Sequence, residues 1–167
     1  MITTSRLVLR PLETADADWI AREISNPNVQ QWLTSPPHPY RLSDAEDFLH
    51  SFAQRPSHRA ILFAGAPVGM VTLTGEGTPD LGYWLGEAAW GKGVMTEAAG
   101  ALLDWHDTSG GGEVESGWIR GNSGSEGVLC KLGFEGDGTA RQYSAFYDRE
   151  VEVRRVRRRA RVGEDRV

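Results

Sequence analysis

The stretch DLGYWLGEAAWGKGVMTEAAGALLDW, residues 80–105, constrains the fold more than any other part of the chain. Residues 80–85 read as a strand after the turn GEGTP, and residues 95–107, rich in alanine and leucine, read as a strong helix. Between them Gly91 and Gly93 flank Lys92. A strand, a glycine turn and a helix in that order collect the unpaired N–H groups of a helix start, and the positive end of its dipole, at one point where an anion can sit. Glycine lets the backbone approach closely because no Cβ stands in the way. The two commonest phosphate loops are excluded: GxxxxGK[ST] is absent, and the third glycine of a dinucleotide fingerprint is missing. Taken alone, the segment is equally well a tight turn with no ligand.

The 167 residues suffice for one buried core and are short for two, so one domain over 1–167 is expected. With 40% hydrophobic and 25% charged residues the composition is that of a soluble globular protein. No apolar run approaches the roughly 20 residues of a membrane span. The N-terminal MITTSRLVLRPLE lacks the unbroken apolar stretch of a signal peptide, and the lone Cys130 fits a reducing compartment, so the expectation is cytoplasmic. The net charge of -5 is unevenly placed: residues 150–167 carry seven arginines against four acids, leaving the remainder strongly acidic. An acidic body repels nucleic acid and favours a cationic substrate.

Along the chain, residues 6–12 (RLVLRPL) read as a strand stopped by Pro11, followed by a helix capped by Thr14 or Asp16 that ends near Asn26-Pro27. Residues 29–42, with three prolines, read as an extended loop, and Ser43 with Glu46 as the capping box of a second helix. Residues 60–65 and 68–75 read as a hairpin, 113–120 as a strand, 123–132 as a helix, and 141–146 and 150–159 as closing strands. The order β-α-α-β-β-β-α-β-α-β-β predicts a mixed α/β fold with one central sheet.

A second turn, in GNSGSEGVLCKLGF at 121–134, again places polar residues between a strand and a helix. With it the pattern becomes specific. WGKGVMTEA resembles the pyrophosphate-binding segment of the GNAT acetyltransferases, and NSGSEGVLCKLGF resembles their N-x-x-S segment with the following K-x-G-F. RLVLRPLETAD and DLGYWLGEAAWGKG are similar to the RimJ/RimL-like branch, which acetylates ribosomal-protein N-termini. The resemblance implies a mostly antiparallel, splayed sheet flanked by helices, with acetyl-CoA as donor and an amine as acceptor. By position it assigns the pantetheine arm to the backbone of Tyr83 and Leu85, and the pyrophosphate to Trp90, Gly91, Lys92, Gly93, Val94, Met95 and Thr96. Met95 stands where the family has a small residue.

Attack of an amine on a thioester needs a proton acceptor and help for the departing thiolate. Asp80 is the first candidate base, as a turn acid entering the donor strand, and Glu97 the second, an acid that could equally complement its helix dipole. Ser125 is the candidate hydroxyl, with Asn122 fixing the pantetheine or the turn; both are also good helix-start residues. Tyr143 or Tyr147 is an alternative acid. For the acceptor, the segment between the first two helices offers Trp32, His38 and Tyr40, of which Trp32 and Tyr40 are the substrate-binding candidates. Cys130 reads as a buried, inert helix thiol, and the histidines show no metal-ligand spacing, so no metal is expected. A homodimer is compatible with the sequence. The competing readings are a non-catalytic acyl-CoA-binding module and nucleic-acid association through RRVRRRAR, residues 154–161; the acidic body and lack of interleaved aromatics favour a self-paired strand there.

Overall fold

The computed structural model describes residues 1–160; Arg161 and Arg166 of the terminal run lie outside them. The chain forms β1 (Ile2–Thr3), β2 (Leu7–Pro11), α1 (Ala17–Ile24), α2 (Pro27–Gln30), α3 (Leu42–Phe52), β3 (His58–Phe63) and β4 (Ala66–Thr74). It continues through β5 (Asp80–Leu85), α4 (Val94–Thr108), β6 (Val114–Ile119), α5 (Ser123–Lys131), β7 (Glu135–Ser144) and β8 (Arg149–Arg158). Among the described residues the eight strands make one sheet in the order β1-β2-β3-β4-β5-β6-β8-β7. Every pairing is antiparallel except β5 with β6.

Strand alternation divides the core between two faces. Leu7, Leu9, Ile61, Val71, Leu73, Leu81 and Leu85 point to one face and bury against Val94, Met95, Ala98, Leu102 and Leu103 of α4 and Leu129 of α5. Ala60, Met70 and Trp84 point to the other and meet Trp19, Ile20 and Ile24 of α1, Val29 of α2 and Ala45 and Leu49 of α3. The RLVLRPLETAD segment links the two layers through Arg10, whose guanidinium forks onto buried Asp16 at 2.8 and 2.7 Å. Asp16 also accepts from the Trp19 indole and the Glu13 N–H, and those donors outweigh its burial and hold its carboxyl below the usual range.

Besides the short added edge strand β1, the structure departs from the sequence expectations at four places. Pro27–Gln30 is a short helix, because the Asn26 side chain caps Asn28 N–H at 3.0 Å and Pro27 sits at the first helical position. The helix expected from Ser43 starts at Leu42, with Asp44 rather than Glu46 reaching back, here to the Arg41 N–H at 2.7 Å. β7 begins at Glu135, its glycine-rich start accommodated by a register shift between Glu135 and Gly138.

The fourth place is β8: the strand expected at 150–159 is present, but not as the self-paired terminal strand expected there. It lies inside the sheet, between β6 and β7. Its arginines are matched by carboxylates on neighbouring elements: Arg155 with Asp80 and Glu115, Arg157 with Glu113 and Glu115, and Arg158 with Asp107. Three of the five described arginines of the run are thus neutralised within the fold, against the acidic body that the charge distribution indicated.

Candidate active site

β5 and β6 pair only once, at Asp80 and Glu115, and then part. The Leu81 carbonyl accepts from the fully buried Ser116 hydroxyl at 2.8 Å, which satisfies the last backbone group before the gap. Beyond it, the phase of the β4–β5 ladder decides which groups face the opening. Gly86 N–H donates to Val68 C=O at 2.8 Å, and Leu85 stands opposite Gly69. Hydrogen-bonded and non-bonded pairs alternate in an antiparallel ladder, so the N–H and C=O of Tyr83 and Leu85 point away from β4 and into the gap. The Leu85 carbonyl is taken by the Trp90 indole N–H at 2.9 Å, which leaves its N–H for a ligand.

At the end of this gap the chain turns through Gly91 and Gly93, with φ of 72° and 73°. A Cβ at Gly91 would meet nothing within 4 Å and one at Gly93 only the Arg6 guanidinium at 3.5 Å, so both glycines are required by backbone conformation, and the space over Gly91 is open. α4 starts immediately after, and the N–H groups of Val94, Met95 and Thr96 belong to its unpaired first turn. The Met95 side chain is buried in the core under the sheet, so its length does not intrude on this cradle.

Arg6 holds the cradle from behind, a role that nothing in the local sequence signals. Its guanidinium donates to the Lys92 carbonyl at 2.9 Å and to Glu97 at 2.7 Å. Glu97 further accepts from the Thr4 and Ser5 hydroxyls and the Arg6 N–H, and these bonds, Thr4 foremost, hold its carboxyl below the usual range. Glu97 is therefore a clip between the N-terminal turn and α4, and its carboxylate is turned away from the gap. The Lys92 ammonium folds back onto the Ala88 carbonyl at 2.8 Å, so the backbone of this residue, not its charge, shapes the loop. We expect Arg6→Ala to weaken CoA binding by about tenfold, the scale of one charge-assisted hydrogen bond, in a calorimetric titration. Unchanged affinity would show that the glycines hold the loop unaided.

On the far wall, Asn122 caps α5 by accepting from Ser125 N–H at 3.1 Å. The Ser125 hydroxyl lies 2.6 Å from the Tyr83 phenol. A cavity of about 1420 Å³ joins these parts. It is lined by Tyr83, Leu85, Trp90, Gly91, Gly93, Val94, Met95, Thr96, Asn122 and Ser125, and it continues past Asp80 to Trp32 and Tyr40 on the α1–α3 side. Of the residues expected at the site, Lys92 does not line it, and neither do the alternative candidates Glu97, His38, Tyr143 and Tyr147.

Asp80 stands on the α1–α3 face of β5, at the mouth of the gap, and its Oδ2 pairs with the Arg155 guanidinium. Arg155 gets there because β6 carries Gly117 beside it: a Cβ at Gly117 would meet the Arg155 side chain at 3.2 Å and the Arg154 carbonyl at 2.4 Å. Trp32 packs on Ile119, Val151 and Val153. Tyr40 is half-buried, and burial, with Asp44 nearby, pushes its phenol up to about 12. His38 sits outside this lining, with its ring edge on Phe146 and Nδ1 at 2.9 Å from Gln30. The two alternative tyrosines are engaged elsewhere: Tyr143 bonds Asp148 within its own hairpin, and the Tyr147 hydroxyl reaches Gln31 at 3.4 Å.

His58 forms part of the cavity floor, buried against Phe52 with ring centroids 5.0 Å apart. Burial, reinforced by Arg55, pushes its imidazole down to about 4. The unfolded chain takes up this proton near the ordinary value of about 6.5 and the native state only near the lower one, so its contribution to stability is complete above the first and lost on the way to the second. Tm should fall from pH 6.5 to 5 in the wild type and stay flatter in His58→Phe; parallel curves would assign the loss to other groups.

No group of three or more His, Cys, Asp or Glu that could hold a metal occurs among the described residues, and no helix there is long and apolar enough to cross a membrane. Comparison with known proteins adds three findings. The GNAT acetyltransferase domain matches residues 6–135. An uncharacterized N-acetyltransferase, p20, of Bacillus licheniformis is 27% identical over 162 residues, covering 90% of each chain. Among solved structures, a GNAT-family acetyltransferase from Bacillus anthracis superposes with a TM-score of 0.83 at 17% identity, over 95% of this chain and 98% of that one. RimL, a ribosomal L7/L12 α-N-protein acetyltransferase in complex with coenzyme A, gives 0.79 at 19% identity over 93% and 95%. With the splayed strands and the glycine cradle already in place, the match over most of its length shows that this chain belongs to the GNAT acetyltransferases and is an acetyl-CoA-dependent N-acetyltransferase.

Proposed function

We propose that the protein moves the acetyl group of acetyl-CoA onto a primary amine, a protein N-terminus or a small molecule, by direct attack. The observation that carries this reading is the gap between β5 and β6, edged by the Tyr83 and Leu85 backbone and closed at one end by the α4 cradle. The pyrophosphate lies on the N–H groups of the loop from Trp90 to Thr96, where the helix dipole favours negative charge. The pantetheine arm completes the sheet along Tyr83 and Leu85, and Asn122 lies beside it.

The amine enters from the α1–α3 side past Trp32 and Tyr40. At neutral pH it arrives protonated, with a reference pKa of about 8 for an α-amino group or about 10 for lysine. Asp80 accepts that proton through a water on Oδ1, while Arg155 fixes the carboxylate from the Oδ2 side. The oxyanion that forms as nitrogen attacks is met by a backbone N–H on the open edge of β5. The Ser125 hydroxyl supports the departing sulfur, whose thiol has a reference pKa of about 8.5.

On this fold RimL is an α-N-protein acetyltransferase, and MccE, a microcin C7 self-immunity acetyltransferase, was solved with acetyl-CoA and AMP. The test is amine-dependent release of free thiol from acetyl-CoA across peptides with varied N-terminal residues, polyamines, amino acids and aminoglycosides. One class should stand clear of the amine-free background. Stabilisation by CoA with no turnover in any class would overturn the reading in favour of an acyl-CoA-binding module.

A further inference from the structure

The phenol of Tyr83 and the hydroxyl of Ser125 meet at 2.6 Å inside the cavity, one from the gap-facing edge of β5 and the other from the first turn of α5. The sequence assigns Tyr83 a backbone role only. Its side chain nevertheless crosses to the second wall and there finds two oxygens on one residue: Ser125 Oγ, where either hydroxyl can donate, and, at 3.3 Å, the Ser125 carbonyl, which accepts. The Ser125 backbone is fixed, because its N–H is held by Asn122 at 3.1 Å. Its hydroxyl proton is not fixed by that bond: a serine hydroxyl rotates to suit its partners.

Which oxygen donates follows from their chemistry. A phenol, with a reference pKa of about 10, is a better donor than an aliphatic alcohol. Burial, partly offset by the bond to Ser125, pushes the Tyr83 phenol up to about 12, so it keeps its proton at any pH at which the enzyme works. When Tyr83 donates to Ser125 Oγ, the serine proton cannot point back along the same line and turns toward the gap.

We propose that Tyr83 is a positioning residue: its phenol donates to Ser125 Oγ, aims the serine proton at the thioester sulfur, and strengthens that donor as the carbon–sulfur bond breaks. This rests on the assignment of Ser125 as the hydroxyl that assists the leaving group. In the step concerned, the amine nitrogen bonds to the carbonyl carbon and its proton leaves toward Asp80 and water. The carbon–sulfur bond then breaks with its electron pair on sulfur, and CoA departs as a thiolate hydrogen-bonded by Ser125. No proton leaves Tyr83, so its contribution is orientation and polarisation.

A mutant cycle tests this. Ser125→Ala should lower kcat by about thirtyfold and Tyr83→Phe by about tenfold, with KM for acetyl-CoA within about twofold of wild type in both. The double variant should be no slower than Ser125→Ala, because a residue that acts through another has no separate effect once that other is gone. A Tyr83→Phe loss that persists in the Ser125→Ala background, or that falls on KM alone, overturns the proposal. If Ser125→Ala is slow and Tyr83→Phe runs at the wild-type rate, Tyr83 alone is wrong; if Ser125→Ala runs at the wild-type rate, the assignment of Ser125 falls and takes this one with it.

A second measurement needs no acceptor. In a Cys130→Ala background, which removes the native thiol, expected to be buried but exposed on α5, Ser125→Cys puts a thiol where the hydroxyl was. Its alkylation rate with iodoacetamide is then followed against pH. A donating phenol stabilises the thiolate, so adding Tyr83→Phe should cut the reactive fraction at pH 7 by about threefold. An unchanged profile would show that Tyr83 does not donate to this position.

Discussion

Arg158→Ala is expected to cost about 3–5 kcal/mol of folding stability, the penalty of leaving a buried charge without its partner. The Arg158 and Asp107 side chains are 5% and 8% exposed, and the guanidinium meets both carboxylate oxygens, at 3.2 and 2.7 Å. Asp107 lies in the last turn of α4, where the negative end of the helix dipole makes a lone carboxylate unwelcome. The pair also ties β8 to the helix that carries the cradle. Chemical denaturation should show the loss. The paired replacement Arg158→Leu with Asp107→Leu should recover much of it, since apolar residues of similar volume remove the desolvation cost of both charges. A single variant within about 1 kcal/mol of wild type would mean that solvent reaches Asp107 despite its burial.

Asp80→Asn is expected to lower kcat on the order of 100-fold while CoA affinity stays within about twofold, the range for removal of a positioned general base. Asparagine keeps the shape of the side chain and its place beside Arg155, and Arg155 retains Glu115 at 3.5 Å, so the mouth of the gap should hold its form. The loss should be smallest at high pH, where the amine arrives already deprotonated and only the proton shed as the nitrogen–carbon bond forms still needs an acceptor. A variant with wild-type kcat would remove Asp80 from proton transfer and leave it as the partner of Arg155. A loss confined to KM for the amine would make it an acceptor-binding carboxylate.

Much of the donor side was legible in the linear sequence, because a helix start, a glycine with positive φ and an alternating strand are local. Gly91, Gly93 and the first turn of α4 needed only neighbouring residues to announce the cradle, and Asn122 announced its cap in the same way. The ends of β7 were misplaced because Gly136 and Gly138 have little strand propensity of their own and are held in the strand by pairing with β8. Arg6, Ser116, Gly117 and Arg155 carried no local signal. Each acts on an element far along the chain: Arg6 on the Lys92 carbonyl, Ser116 on the Leu81 carbonyl, and Arg155, across Gly117, on Asp80.

Glu97 and Tyr83 show the same limit on single residues. As an acid in a helix's first turn, Glu97 was a candidate base by type, but the N-terminal turn occupies its oxygens with four donors from Thr4, Ser5 and Arg6. Tyr83 was a strand residue valued for its backbone, and only the approach of α5 to β5 gives its hydroxyl a partner.

By itself, then, the sequence determined the order of the longer strands and helices, the glycine turn with its free N–H groups, and the family to which they belong, since these depend on backbone conformation over a few residues. Only the tertiary structure decided that β8 lies inside the sheet, that three of its arginines are spent on internal carboxylates, and which hydroxyls and carboxylates face the gap. Those outcomes depend on pairing register and on which side chains meet across the fold, and no local propensity encodes either.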